Sequence, residues 1–335
     1  MQYHATLIAG DGIGPEVAAA ATRVIEATGV PIVWDPVELN ATVIEREKKS
    51  LPDAVVESLL RTRLGLKGPV TTPVAGGYQS VNVALRKRFD LFANFRPVIT
   101  IPGIRSRFED LNLNIAIFRE NTEDLYSGLE QEIVPGVVTG IKVITRTASE
   151  RIARKAFEFA QREGRQKVVA IHKANIMKQA DGLFLACCRE VAKEFPAINY
   201  GELIVDNASM QLVMNPSQFD VMILPNLYGD IISDLCAGLV GGLGIVPGAN
   251  LGENFAIFES VHGSAPDIAG KGIANPTAIL QCCVLLLSHI GEREAARRLQ
   301  HAIAITYKEG KHLTGDVGGT ASTDEFTSAI VAAMR

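Results

Sequence analysis

Hydrophobic positions along this chain fall into two alternating patterns. Short apolar runs read as buried strands: ATLIAG (5–10), RLGLKGP (63–69), NLNIAIFRE (112–120), KVVAIHK (167–173), GELIVDN (201–207) and FDVMILP (219–225). Between them lie segments with helical spacing: VAAAATRVIEAT (17–28), VNVALRKRFD (81–90), the strongly amphipathic ASERIARKAFEFAQRE (148–163) and ADGLFLACCREVAKEF (180–195). Pro15 and Glu16 mark the start of the first helix, Pro just inside it and the acid in its first turn. Alternation of this kind predicts an α/β fold. Residues 124–146 break the rhythm. They are rich in Val, Ile and Gly with no helical stretch between them, and predict a β-hairpin arm or clasp that pairs with a second subunit.

Composition narrows the class. The chain has 335 residues, 47% hydrophobic and 21% charged, enough for a large core or two domains. No linker or repeat separates two halves, so a second domain is expected as an insertion. A net charge of -4 gives no overall pull toward nucleic acid or anionic lipid. AILQCCVLLLSHI (278–290) is too short and interrupted to span a bilayer. Five cysteines, two pairs of them vicinal, fit neither a disulfide framework nor a zinc site and read as small buried hydrophobes. With no leader-like segment before the first strand, a soluble cytoplasmic protein is the expectation.

Several segments carry candidate chemistry. Gly10–Glu16, GDGIGPE, places glycines at a strand-to-helix turn, for close approach either to a ligand or to neighbouring backbone. Its spacing is not G-x-G-x-x-G, because Pro15 stands in the place of the last glycine; a standard Rossmann fold is not supported. Basic residues cluster between 86 and 119. Lys87, Arg88, Arg105 and Arg107 read as a solvated face. Arg86, Arg96 and Arg119 sit at element ends, and with Ser80 and Asn82 they suit a small polycarboxylate. Lys173 and Asp206 follow apolar strands, where α/β proteins bind ligands. In NLYGDIISD (226–234), Asp230 and Asp234 are four apart, on one face of a helix. Either they serve its N-terminus, by capping and the helix dipole, or a hard divalent cation draws them together. The Gly-, Ala- and Pro-dense stretch from His262 to 276 is either a complicated turn or a binding loop.

Together these motifs resemble the isocitrate and 3-isopropylmalate dehydrogenase family almost end to end. The resemblance runs in order through GDGIGPE, GPVTTP, SVNVALRKRFDLFANFRP, IFRENTEDLYSG, HKANIMK, NLYGDIISDLCAGLVGGLG and ESVHGSAPDIAG. It implies a large cofactor-binding domain of residues 1–92 and 242–335. A small dimerisation domain, 93–241, is inserted into it and carries the clasp. Oxidative decarboxylation of a hydroxyacid is implied, as in the tricarboxylic acid cycle, by a homodimer with shared active sites. Asp230 and Asp234, with Asp206 from the partner, would hold Mg²⁺ or Mn²⁺. Lys173, also from the partner, would take the hydroxyl proton, and Tyr126 would act as general acid. Arg86, Arg96 and Arg119 would grip carboxylates. Thr72, Glu259, His262, Gly263, Ala265, Asp267, Ile268 and Asn275 would line the NAD site.

Two stretches discriminate within the family. A polar pair at Ser80 and Asn82 resembles isocitrate enzymes, where isopropylmalate enzymes usually carry apolar leucines; an apolar substituent there would leave polar groups unpaired, at about 1–3 kcal/mol. Asp267-Ile268 stands where NADP-using relatives have Lys-Tyr, and a carboxylate there repels a 2′-phosphate, which implies NAD. Isopropylmalate, homoisocitrate or tartrate as substrate, and a regulatory rather than a catalytic role, are the competing readings.

Overall fold

The computed structural model describes residues 2–71 and 79–335. The chain begins β1 (Tyr3–Ile8), α1 (Gly14–Thr28), β2 (Ile32–Val37), α2 (Ala41–Glu47), α3 (Asp53–Thr62), β3 (Leu64–Lys67) and α4 (Val81–Arg88). It continues through β4 (Ala93–Ile99), β5 (Asn114–Glu120), β6 (Glu130–Val134), β7 (Val137–Gly140), α5 (Arg146–Arg162) and β8 (Lys167–His172). Then come α6 (Ala180–Ala192), β9 (Asn199–Ile204), α7 (Val205–Met214), β10 (Val221–Leu224) and α8 (Asn226–Val240). The last elements are β11 (Pro247–Leu251), β12 (Ala256–Ser260), α9 (Thr277–His289), α10 (Arg293–Glu309) and α11 (Thr323–Ala333).

Ten strands form one sheet in the order β2-β1-β3-β12-β11-β4-β5-β10-β8-β9. Two parallel blocks, β2-β1-β3-β12 and β5-β10-β8-β9, are joined by β11 and β4, which pair antiparallel with each other and with their outer neighbours. The three successive reversals leave the two blocks running in opposite directions. The mixed sheet and its topology are those of an α/β protein without the standard Rossmann arrangement.

The centre of the sheet has two chemically different faces, because successive strand residues point to opposite sides. On one face stand Asn94 and Arg96 of β4, Arg119 of β5, Asn250 of β11 and Glu259 of β12; they share a polar network and meet α8. On the other stand Phe95, Phe118, Leu251 and Phe258, facing α5 and α9. α5 buries Ile152, Ala156, Phe157 and Ala160, spaced for one helical face, against β5, β8 and β10. All five cysteines are free and buried, in keeping with their reading as small hydrophobes. β6 and β7 form a separate two-stranded hairpin, exposed throughout. Among the described residues no helix is long and apolar enough to cross a membrane.

Candidate active site

Helix α8 organises the polar face. It starts directly after β10, with Pro225 as N-cap and no side-chain cap. Asp230 and Asp234 therefore lie well inside the helix, and capping accounts for neither. The cap role falls to Asp124 instead, which is fully buried and accepts the Leu227 backbone N–H at 2.9 Å. Asp124 adopts φ 71° and ψ −148°, a region costly for a side-chain-bearing residue. That conformation turns the chain sharply ahead of Tyr126.

Three buried arginines converge on α8. Arg119, 1% exposed, leaves the end of β5 and donates from Nε to Asn226 Oδ1 at 2.9 Å and from Nη1 to Asp230. Its guanidinium lies 4.9 Å from the centre of the Tyr126 ring. The Tyr126 hydroxyl donates to the other Asp230 oxygen. Arg96 donates from Nη1 to Ser233 Oγ at 2.6 Å and to Asp234 Oδ1 at 2.9 Å, and its Nη2 lies 3.5 Å from Asp230 Oδ1. Arg86 comes from α4, with Nη2 3.6 Å from Glu259. Each arginine keeps one buried donor without a partner among the described residues: Arg86 Nε, Arg96 Nε and Arg119 Nη2. A buried unmet donor costs about 1–3 kcal/mol, and more when charged. The cluster is therefore built to receive further acceptors.

The charges shape one another. Burial, and then repulsion from Arg86, bring Arg119 down to about 10, against the pull of Asp230. Burial works to raise Asp230, but Arg119, the Tyr126 hydroxyl, Arg96 and Arg86 outweigh it and hold the carboxyl below its ordinary range. Burial and the bond to Asp230 push the Tyr126 phenol up, so it keeps its proton. Beneath the arginines, Glu259 accepts from Lys67 Nζ at 2.9 Å and from Asn250 Nδ2 at 2.7 Å. Burial opposes its ionisation, yet Lys67 and Arg86 bring it down to about 2. A cofactor contact at Glu259 would compete with both bonds.

Ser80 is the exposed N-cap of α4 and makes no capping bond; Asn82 follows one turn before Arg86. Lys173 and Asp206 pair at 2.6 Å between Nζ and Oδ1, and Lys173 lowers the Asp206 pKa. Asp206 lies in the first turn of α7 and not on a strand. This pair stands apart from the arginine cluster: Asp230 and Asp234 take their ion pairs from Arg96 and Arg119. Ile176, Met210, Val213, Met214 and Ile231, on the same part of the chain, are exposed.

Three loops meet at the carboxyl ends of β1, β3 and β12. Ile13 N donates to Ser264 O at 2.9 Å, Asp11 N to Pro69 O at 2.7 Å, and Thr71 N to Asp11 Oδ2 at 2.8 Å. A Cβ on Gly10 would stand 1.9 Å from Pro69 O, and one on Gly12 1.9 Å from Ser264 O. These glycines of GDGIGPE thus serve loop-to-loop packing. His262 keeps a buried Nε2 without a partner among the described residues. Gly263, Ala265 and Asp267 are exposed, and Ile268 packs on the core. Asn275 faces inward, donating to the Tyr307 hydroxyl and Asp316 while accepting from Thr277. Thr72 lies outside the described residues. Residue type alone does not single out Asn226, Ser233, Gly229 or Asp124, although the first three lie in the same motif as the aspartates.

Such a sheet, with buried arginines on one face meeting the paired aspartates of α8, belongs to one class of dehydrogenases. The isocitrate/isopropylmalate dehydrogenase family model matches residues 4–330, and the chain belongs to that family. It is similar to a mitochondrial regulatory subunit of the NAD isocitrate dehydrogenase of Dictyostelium discoideum, 52% identical over 97% of this chain and 90% of that one. It is equally similar to the mitochondrial catalytic subunit 5 of the Arabidopsis thaliana enzyme, 52% identical over 97% of this chain and 87% of that one. The crystal structure of isocitrate dehydrogenase from Methylococcus capsulatus superposes with TM-score 0.95 at 48% identity, covering 100% of both chains. The Dictyostelium and Arabidopsis relatives are both mitochondrial, and this overturns the cytoplasmic expectation. An apparent lack of a leader was the wrong ground for a location.

Proposed function

We propose that the chain catalyses NAD⁺-dependent oxidative decarboxylation of isocitrate to 2-oxoglutarate and CO₂, in active sites shared by two copies. The observation that carries this reading is the trio of buried arginines, each with an unmet donor, beside two half-exposed aspartates. Charge supports it. Arg86, Arg96, Arg119 and Lys67 face Asp230, Asp234 and Glu259, a surplus of one positive charge. A divalent ion would raise the surplus to three, equal to the three carboxylates of isocitrate.

Asp230 and Asp234 fit Mg²⁺ or Mn²⁺: they are hard oxygen donors one turn apart, with side chains 35% and 51% exposed. Asp206, paired with Lys173 rather than with the arginines of Asp230 and Asp234, would join them from the partner. When bound, the ion supplies Lewis acidity at the substrate's hydroxyl and neighbouring carboxylate. NAD would lie along the loops at 9–14, 68–71 and 262–275, with the exposed Asp267 accepting from ribose hydroxyls.

The chain's own groups do the rest. Arg86, Arg96 and Arg119 bind carboxylates, and Ser80 and Asn82 orient the one that distinguishes isocitrate. The partner's Lys173 would accept the hydroxyl proton; bound NAD⁺ would supply the hydride acceptor. After CO₂ leaves, Tyr126, whose raised pKa keeps it protonated, delivers a proton to carbon. We assign residues 1–92 and 242–335 to one domain and 93–241 to another, with the exposed hairpin joining two copies.

The test is NADH formation by the purified protein with isocitrate and Mg²⁺, beside isopropylmalate and homoisocitrate, and with NADP⁺ replacing NAD⁺. Turnover of isocitrate with NAD⁺ alone is expected. Mixing inactive Lys173→Ala and Tyr126→Phe copies should restore activity; none above either parent would refute shared sites. The Dictyostelium relative's name favours a second reading, a regulatory role. That reading would win if the protein bound isocitrate without turning it over.

A further inference from the structure

The face of the sheet turned away from the arginines holds a cavity of about 570 Å³. It lies between α5 on one side and α9 and α10 on the other. Its floor is aromatic. Phe95, Phe118 and Phe159 form a triangle of rings with centroids 5.0, 5.0 and 5.1 Å apart, and Phe258 adds a fourth ring. The polarity alternation that aims Arg96 and Arg119 at one face puts Phe95, Phe118 and Phe258 on the other, and α5 adds Phe159.

The rim is cationic. Lys155, Arg162, Arg165, Arg293 and Arg297 line the cavity against Glu158 and Glu163, a surplus of three positive charges in a chain whose net charge is -4. Arg162 is taken by Glu163 at 2.8 Å, and Arg165 by Asp220 at 2.9 Å. The side chains of Lys155, Arg293 and Arg297 have no hydrogen-bond or ion-pair partner among the described residues. Burial, then the charges of Lys155 and Arg162, hold the His289 imidazole at the cavity wall below its ordinary pKa. The positive field therefore comes from the lysine and arginine side chains.

We infer that this cavity is a second ligand site, for a small amphipathic anion with a planar aromatic body. The body lies on the phenylalanine floor, and the anionic group meets Lys155, Arg293 and Arg297. An apolar floor with a few convergent polar groups is the usual build of a small-molecule site. Aromatic rings supply burial and ring-to-ring geometry, and free guanidiniums supply charge-assisted bonds. The residues assigned above to substrate and cofactor lie on the arginine face and in the loops at the strand ends, so the inference stands or falls separately from that reaction.

The probe is 8-anilinonaphthalene-1-sulfonate, titrated by fluorescence into the intact protein. One saturable site per chain is expected, unaffected by saturating NAD⁺ and isocitrate. The charge reversal R293E/R297E should weaken binding tenfold or more, and Gln281→Trp, which fills the cavity from α9, should do the same. Unchanged NADH formation, or an unchanged unfolding temperature, shows that each variant is folded. Uncharged N-phenyl-1-naphthylamine should bind at least tenfold more weakly. Displacement of the probe by NAD⁺ or isocitrate would place it on the other face and overturn the inference. So would absence of saturable binding, indifference to both variants, or equal affinity for the uncharged analogue.

Discussion

Gly229 and Arg119 compete for the same space: a Cβ on Gly229 would stand 2.5 Å from Arg119 Cγ and 2.6 Å from its Cβ. The arginine crosses α8 at a position where the helix has no side chain, and so reaches Asn226 and Asp230. In an exposed helix, Gly→Ala stabilises by about 1 kcal/mol. Here overpacking costs about 1–3 kcal/mol and wins. Gly229→Ala should therefore lower the urea midpoint and reduce kcat/KM for isocitrate at least tenfold, since Arg119 must move. A variant as active as the parent and more stable would show that Arg119 does not depend on this gap.

Arg96 bridges Asp230 and Asp234 and competes with any cation for them. In the absence of substrate, Arg96→Ala should tighten Mn²⁺ binding, read by the loss of free-ion electron paramagnetic resonance. The same variant should raise the KM for isocitrate about a hundredfold. Asp234→Asn should weaken Mn²⁺ binding tenfold or more. Equal Mn²⁺ affinity in all three proteins would remove these aspartates from the metal site.

Glu123 sets a pH dependence of stability. Its carboxylate accepts from Thr145 N at 2.9 Å and Thr145 Oγ1 at 2.8 Å, the residue that caps α5. Burial outweighs these bonds and pushes its pKa up to about 7. A carboxyl whose folded pKa exceeds its unfolded value stabilises fully below the unfolded value, about 4.3, and loses that contribution as pH rises through about 7. Stability should fall between pH 5 and 8 by at most about 3 kcal/mol from this group. Glu123→Gln should flatten that fall in urea titrations; parallel curves would refute it.

The hairpin needs a cover. Ile133 is 59% and Val138 64% exposed, apolar surface left uncovered on a two-stranded sheet too small to be stable alone. Val138→Glu should shift the protein to monomer in analytical ultracentrifugation and abolish NADH formation. A dimer of full activity would assign the hairpin another role.

Much of this was legible in the sequence, for reasons that can be named. The amphipathic stripe of α5 and the apolar β5, β8 and β10 carry their own periodicity. The arginines and aspartates stood out because charge at the end of an apolar run needs a reason. β4 did not stand out: Arg96 and Pro97 interrupt its pattern, and only the pairing of Asn94 with Arg119 and Arg96 with Ile117 makes it a strand. Asp206 looked like a strand end because Val205 continues the apolar run, whereas the helix already begins there. Asp124 was invisible, since its importance lies in a backbone angle and one bond to Leu227. The role of the glycines in GDGIGPE depends on loops some 60 and 250 residues away, which no local pattern encodes.

The placement of β12 has a consequence for how the chain is made. β3, residues 64–67, pairs with β1 on one side but finds its other neighbour only in residues 256–260, and β11 next to β12 joins β4 across a similar gap. While the ribosome works through the intervening stretch, the first three strands stand as a half-sheet whose β3 edge is still open. That edge offers unpaired backbone groups to any other nascent chain. Closing it is a long-range event, slow by its topology. The last third of the polypeptide thus acts as the keystone of the first, and truncation before residue 256 should yield aggregates and no smaller folded domain.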